Sequence, residues 1–113
     1  MSSTHDEHEI RERLGAQLPS WRHEDGHLVR VFETGAWHRT LLLANAIGYL
    51  GEAAWHHPDL LLSYPRLTVK LTTHDAGGIT DKDFELALRI EEIATWQPAE
   101  GSALTGPEGG WFT

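Results

Sequence analysis

Leu67-Thr68-Val69-Lys70-Leu71-Thr72-Thr73-His74 decides the fold class, because apolar and polar residues alternate along it with the period of two that a β-strand presents to its faces. Leu67, Val69 and Leu71 share one face, and Thr68, Lys70, Thr72 and His74 the other. A strand with a single apolar face belongs in an antiparallel sheet covered on one side and wet on the other. His74 is then expected at the strand's end on the polar side, within reach of a ligand.

Working outward, Leu60 to Tyr64 reads as a short strand set off by Pro65, with Tyr64 expected to pack. Before it, Trp37, Leu41, Ala44, Ile47, Leu50 and Ala54 recur at steps of three and four, predicting a long helix from about Trp37 to Ala54. Gly48 and Gly51 lie inside it at a cost of about 1 kcal/mol each relative to Ala, so close packing against another element, such as a sheet, is expected there. Pro58 pushes His57 out of the helical region, which leaves His56 and His57 at the helix exit.

Further upstream, Asp25-Gly26 between Trp21–Glu24 and His27–Phe32 marks a tight hairpin. Ser3 and Thr4 stand at capping-box spacing before Asp6 and Glu7, and Ile10, Leu14 and Leu18 follow at steps of four until Pro19. Downstream, Ala76-Gly77-Gly78 is a loop, and Thr80 with Asp83 opens a helix through Phe84, Ala87, Leu88, Ile90 and Ile93. The predicted fold is α+β: one domain, αββαββα, with a four-stranded antiparallel sheet and helices packed on one face. The domain is expected over residues 1–94. Residues 95–113, with Pro98, Gly101, Gly106, Pro107, Gly109 and Gly110, read as a tail, partly docked through Trp96, Trp111 and Phe112.

Composition fits this size. The chain has 113 residues, 40% hydrophobic and 23% charged, enough for one core and too little charge bias for disorder. Cys is absent, which removes disulfides, thiolate metal sites and cysteine nucleophiles and favours a reducing, cytoplasmic setting. The acidic start resembles neither a secretory signal nor a transit peptide, and the run Leu41–Ala44 is far too short for a membrane helix. With 17 acids against 9 Lys and Arg and a net charge of −8, a nucleic-acid partner is disfavoured.

Of the eight histidines, His5 and His8 lie near the start, His23 and His27 flank the hairpin turn, and His38 opens the long helix; exposed or structural roles suffice for these five. His56, His57 and His74 are the candidates for chemistry. Glu52 and His56 are four apart and share a helical face if the helix persists that far. Asp83 has two readings, a cap and a chemical group. Three imidazoles and a carboxylate could also hold zinc or iron, but adjacent histidines project in different directions, and only Glu52 with His56 has the i, i+4 spacing of paired ligands on one helix.

The whole string is Glu52, three residues, His56-His57-Pro58, the aromatic Tyr64, then Thr73-His74 and Asp83. In order and separation it resembles the pterin-4a-carbinolamine dehydratase family, from the Trp21 hairpin to the helix ending near Ile93. The resemblance implies dehydration of a 4a-hydroxytetrahydropterin, the product of aromatic amino acid hydroxylases, to a quinonoid dihydropterin. It implies no organic cofactor and no metal. It also implies His56, His57 and His74 around the carbinolamine carbon, Glu52 and Asp83 supporting them, Pro58 beside them, and Thr73 to Asp75 against the pterin ring. Relatives form dimers and tetramers, so a homodimer or homotetramer is implied; some also serve as protein partners, which makes a non-catalytic interaction module the alternative. Trp55 departs from the family, where the position is often polar or acidic. Water loss needs an acid at one atom and a base at another, which histidine supplies near neutrality; His57, beside a carboxylate, is the expected acid.

Overall fold

In the computed structural model, residues 3–107 are described. They form α1 (Glu7–Gln17), β1 (Arg22–Glu24), β2 (His27–Glu33), α2 (Trp37–Ala54), β3 (Asp59–Leu62), β4 (Arg66–Leu71) and α3 (Asp81–Thr95), with a single 3-10 turn at His74–Ala76. The four strands make one antiparallel sheet in the order β1-β2-β4-β3. The αββαββα order and the sheet are as the alternation and the two hairpin signals predict. Asp25 and Gly26 both take positive φ, 49° and 77°, the backbone of the two-residue turn that matches strand twist.

Register sets the core. Leu28 pairs with Leu71, Arg30 with Val69 and Phe32 with Leu67, so these six side chains share the helix-covered face. Against them pack Ile10, Leu14, Ile47, Phe84, Ala87 and Ile90, all buried. Burial of each large side chain is worth about 1.5–3 kcal/mol relative to exposure. Arg30 is the polar member of this face. Its Nε donates to Glu91 Oε1 of α3 at 2.5 Å, and Trp21 Nε1 donates to the same oxygen at 2.7 Å, so the charge is paired where it is buried.

Five local expectations change. The α1 cap is Asp6, not Ser3 or Thr4: its carboxylate accepts from Glu9 N–H, and Glu9 reaches back to Asp6 N–H. The buried face of α2 is Thr40, Leu43, Ala44, Ile47 and Gly51, whereas Trp37 and Leu41 are exposed. Three consecutive leucines, Leu41 to Leu43, blur the phase of the stripe. Thr40 is admitted to the interior because its hydroxyl bonds to Thr34 Oγ1 and to the carbonyls of Ala36 and Tyr64. Tyr64 contributes that carbonyl while its side chain is exposed.

The remaining two changes concern packing and strand length. Gly48 faces open space, and Gly51 packs against the helix's own exit rather than a sheet: a Cβ on Gly51 would lie 2.8 Å from Pro58 Cδ. Strand β4 stops at Leu71 instead of reaching His74: its ladder with β2 ends at the Leu28–Leu71 pair, one residue short of the hairpin turn, and Thr73 leaves to bridge Gly78. After α3, residues 96–107 run beside α2 and α3, and Trp96, Pro98 and Leu104 wall a cavity of about 530 Å³ with Leu42, Ala46 and Ile93. Trp111 and Phe112 lie outside the described residues. No helix among the described residues is long and apolar enough to cross a membrane.

Candidate active site

The site is built on three local structures whose ends converge. At the first, α2 ends in a Schellman motif: His56 N–H donates to Gly51 O at 3.0 Å and Trp55 N–H to Glu52 O at 3.2 Å, around a left-handed Trp55 with φ 53°. That residue reverses the chain, and Pro58 packed against Gly51 fixes the exit. The reversal separates Glu52 from His56, correcting the expectation that they share a helical face. Glu52 Oε1 instead accepts from His57 Nε2 at 2.9 Å, and both side chains are more than half exposed.

At the second, Thr73 continues the inward alternation of β4 and is buried, and a bridge to Gly78 closes the loop between them. His74 and Asp75 sit in the 3-10 turn that follows Thr73, both exposed. Among the described residues His74 makes no side-chain hydrogen bond or ion pair. Both of its ring nitrogens are open to a ligand.

The third is the start of α3. Thr80 is its N-cap, and Asp83 returns a carboxylate oxygen to Thr80 N–H at 2.9 Å. The same oxygen, Oδ2, accepts from Thr73 Oγ1 at 2.8 Å, and Thr73 and Thr80 hydroxyls are 2.8 Å apart. The other oxygen, Oδ1, meets His56 Nε2 at 2.7 Å. Asp83 is 0% exposed and His56 nearly buried, so the carboxylate that completes the capping box also anchors the imidazole.

The structure therefore brings Thr73, Thr80, Asp83 and His56 into one hydrogen-bonded network and pairs His57 with Glu52 beside it. It places His74 and Asp75 directly after Thr73. Pro58 braces the exit of α2. In both supported histidines Nε2 is committed to a carboxylate, which fixes the tautomer and leaves Nδ1 as the nitrogen free to take or give a proton. Among the described residues no three His, Asp or Glu side chains converge as metal ligands would. Reading the sequence missed Trp55 as a built feature, whose ring meets that of His57 edge-on at 4.9 Å. The missed signal was a helix ending, two residues before His57, with no Gly or Asn at the position such endings favour.

Residues 3–93 match the family described as Pterin 4 alpha carbinolamine dehydratase. A protein of Aquifex aeolicus strain VF5, provisionally named a pterin-4-alpha-carbinolamine dehydratase, is 44% identical over 87 residues, 77% of this chain and 87% of that one. One of the same provisional name from Chloroflexus aurantiacus strain J-10-fl is 46% identical over 87 residues, 77% and 92% of the two chains. The crystal structure of a transcriptional coactivator/pterin dehydratase from Brucella melitensis superposes with a TM-score of 0.74 at 26% identity, covering 81% of this chain and 99% of that one. With the family's span containing every element from α1 to the last turn of α3, the chain belongs to the pterin 4 alpha carbinolamine dehydratase family.

Proposed function

We propose that this protein dehydrates a 4a-hydroxytetrahydropterin to the quinonoid dihydropterin by general acid/base catalysis with its histidines. The observation that carries the reading is the buried Asp83 carboxylate held on His56 Nε2 at 2.7 Å, which fixes one imidazole beside a second carboxylate-supported imidazole, His57. In the reaction the C4a–O bond breaks, the leaving hydroxyl takes a proton and departs as water, N5 gives up its proton, and its electron pair closes the C4a=N5 double bond. No redox change occurs.

His57 is placed as the acid to the leaving hydroxyl, being supported by Glu52 and exposed enough to meet a ligand. His56 and His74 flank the carbinolamine carbon, with one of them receiving the N5 proton, and Thr73 to Asp75 lie along the pterin ring. Positioned acid/base groups contribute roughly 10²–10⁴-fold each. Cytoplasmic recycling of a hydroxylase's pterin is the setting this reaction fits. Self-association into a dimer or tetramer is part of the same reading, supported by edge strands β1 and β3, the latter carrying an exposed Leu61.

The test is stopped-flow absorbance of a freshly generated 4a-hydroxypterin with the parent protein and with His56→Ala, His57→Ala and His74→Ala. The parent should accelerate water loss, and His57→Ala should lose at least about a hundredfold. Unchanged spontaneous turnover with the parent sinks the dehydratase reading. Full rate in His57→Ala with loss in His74→Ala moves the acid to His74.

A further inference from the structure

Trp55 stands out at the corner of the site. A left-handed backbone is one that bulky side chains avoid, and at the end of a helix it ordinarily belongs to Gly or Asn. Here it carries the largest side chain, 74% exposed, contributing little to the core. Backbone cost without burial points to a contact outside the folded chain. One edge of Trp55 touches His57, and Trp55 with His56 also walls a groove of about 380 Å³ completed by Ala54, Leu86, Lys82, Arg89 and Glu85.

The lining of that groove is specific. Its walls are Trp55, Ala54 and Leu86, with Lys82 and Arg89 beside them. Glu85 sits on the same helix three residues from Lys82 and four from Arg89, and Arg89 also pairs with Glu92, so the charges balance and the groove is no simple anion site. A flat uncharged ring suits it: the indole offers a face for stacking, and the two cations in the lining can meet the π-system of a bound ring.

We infer that Trp55 and this groove select reduced pterins bearing an aryl substituent on carbon 6, over those bearing a short chain. The inference rests on the dehydratase reading, because the bicycle must lie over the histidines for its substituent to pass Trp55. Trp55 is thus a specificity residue of the site.

Calorimetric binding of two stable probes, 6-anilinomethyl-7,8-dihydropterin and 6-methyl-7,8-dihydropterin, tests it. The parent should bind the aryl probe about five- to tenfold more tightly. Trp55→Gly, which suits the left-handed backbone and should melt no lower than the parent, brings the ratio of affinities near one; Trp55→Phe restores part of it. Equal affinities in the parent, or a preference that survives Trp55→Gly, overturn the inference. If the preference is present and Trp55-dependent while neither corresponding 4a-hydroxypterin is dehydrated faster than in buffer, the groove stands and the dehydratase reading falls.

Discussion

At the scale of single residues, Asp83 carries two duties that one substitution can separate. Its Oδ2 closes the cap of α3 and binds Thr73, while its Oδ1 fixes His56. Asp83→Asn keeps the shape and can keep an oxygen toward Thr80 N–H and Thr73. It then turns an amide N–H toward His56, which can accept it only by moving its proton from Nε2 to Nδ1, the nitrogen proposed to work on substrate. Stability should fall by about 1–3 kcal/mol, the cost of degrading a buried charged acceptor, as chemical denaturation would measure. Dehydration per folded molecule should fall by roughly a hundredfold. Retention of the rate within a factor of two would reduce Asp83 to a helix cap.

At the scale of elements, the two glycines of α2 make opposite predictions. Gly48 is exposed, with no neighbour within 4 Å of the place a methyl would take, so Gly48→Ala should stabilise the protein by about 0.5–1 kcal/mol through helix propensity alone. Gly51→Ala sets a Cβ 2.8 Å from Pro58 Cδ and 3.2 Å from His56 O, so it should destabilise by about 1–3 kcal/mol and displace both histidines. Urea midpoints of the two variants, with turnover, check the pair; a stabilising Gly51→Ala would mean the α2 exit is not held by this contact. The same helix shows what was legible in the sequence. Its bounds follow from periodicity and Pro58, and the Asp25-Gly26 turn and Thr80/Asp83 box are equally local signals. The phase of α2 was hidden by the Leu41–Leu43 run, and the end of β4 depended on where its ladder with a distant strand, β2, closes near the hairpin turn. In the site, resemblance to a known family named the residues, but the pairing of His56 with Asp83, and of Glu52 with His57, turned on one left-handed residue that no spacing rule reveals.

At the scale of the whole molecule, α1 is joined to the rest through carboxylates as well as through Ile10 and Leu14. Asp81, at the start of α3, accepts from Arg13 of α1 at 2.8 Å and lies 2.8 Å from His5 Nε2, and these bonds, Arg13 first, hold its carboxyl below the ordinary value. Glu7 of α1 is lowered chiefly by its hydrogen bond to Arg11, with His23 of β1 adding to it. A carboxyl depressed in the fold binds fewer protons than in the unfolded chain, so its contribution is complete above the ordinary carboxylate range. That contribution is lost as pH falls through the depressed value. Protonation also relieves the net charge of −8, which works in the other direction for the molecule as a whole but not at these two seams. The expected result is therefore local: on acidification below the ordinary carboxylate range, protection against hydrogen exchange, relative to the intrinsic rate at each pH, should fall in α1 before it does in β2 and β4. The effect should be small because both carboxylates are mostly exposed. Asp81→Asn should remove part of this pH dependence and leave exchange in the sheet unchanged. Simultaneous loss of protection in α1 and the sheet would show that α1 does not open as a separate unit and that its charged seams do not govern the acid response.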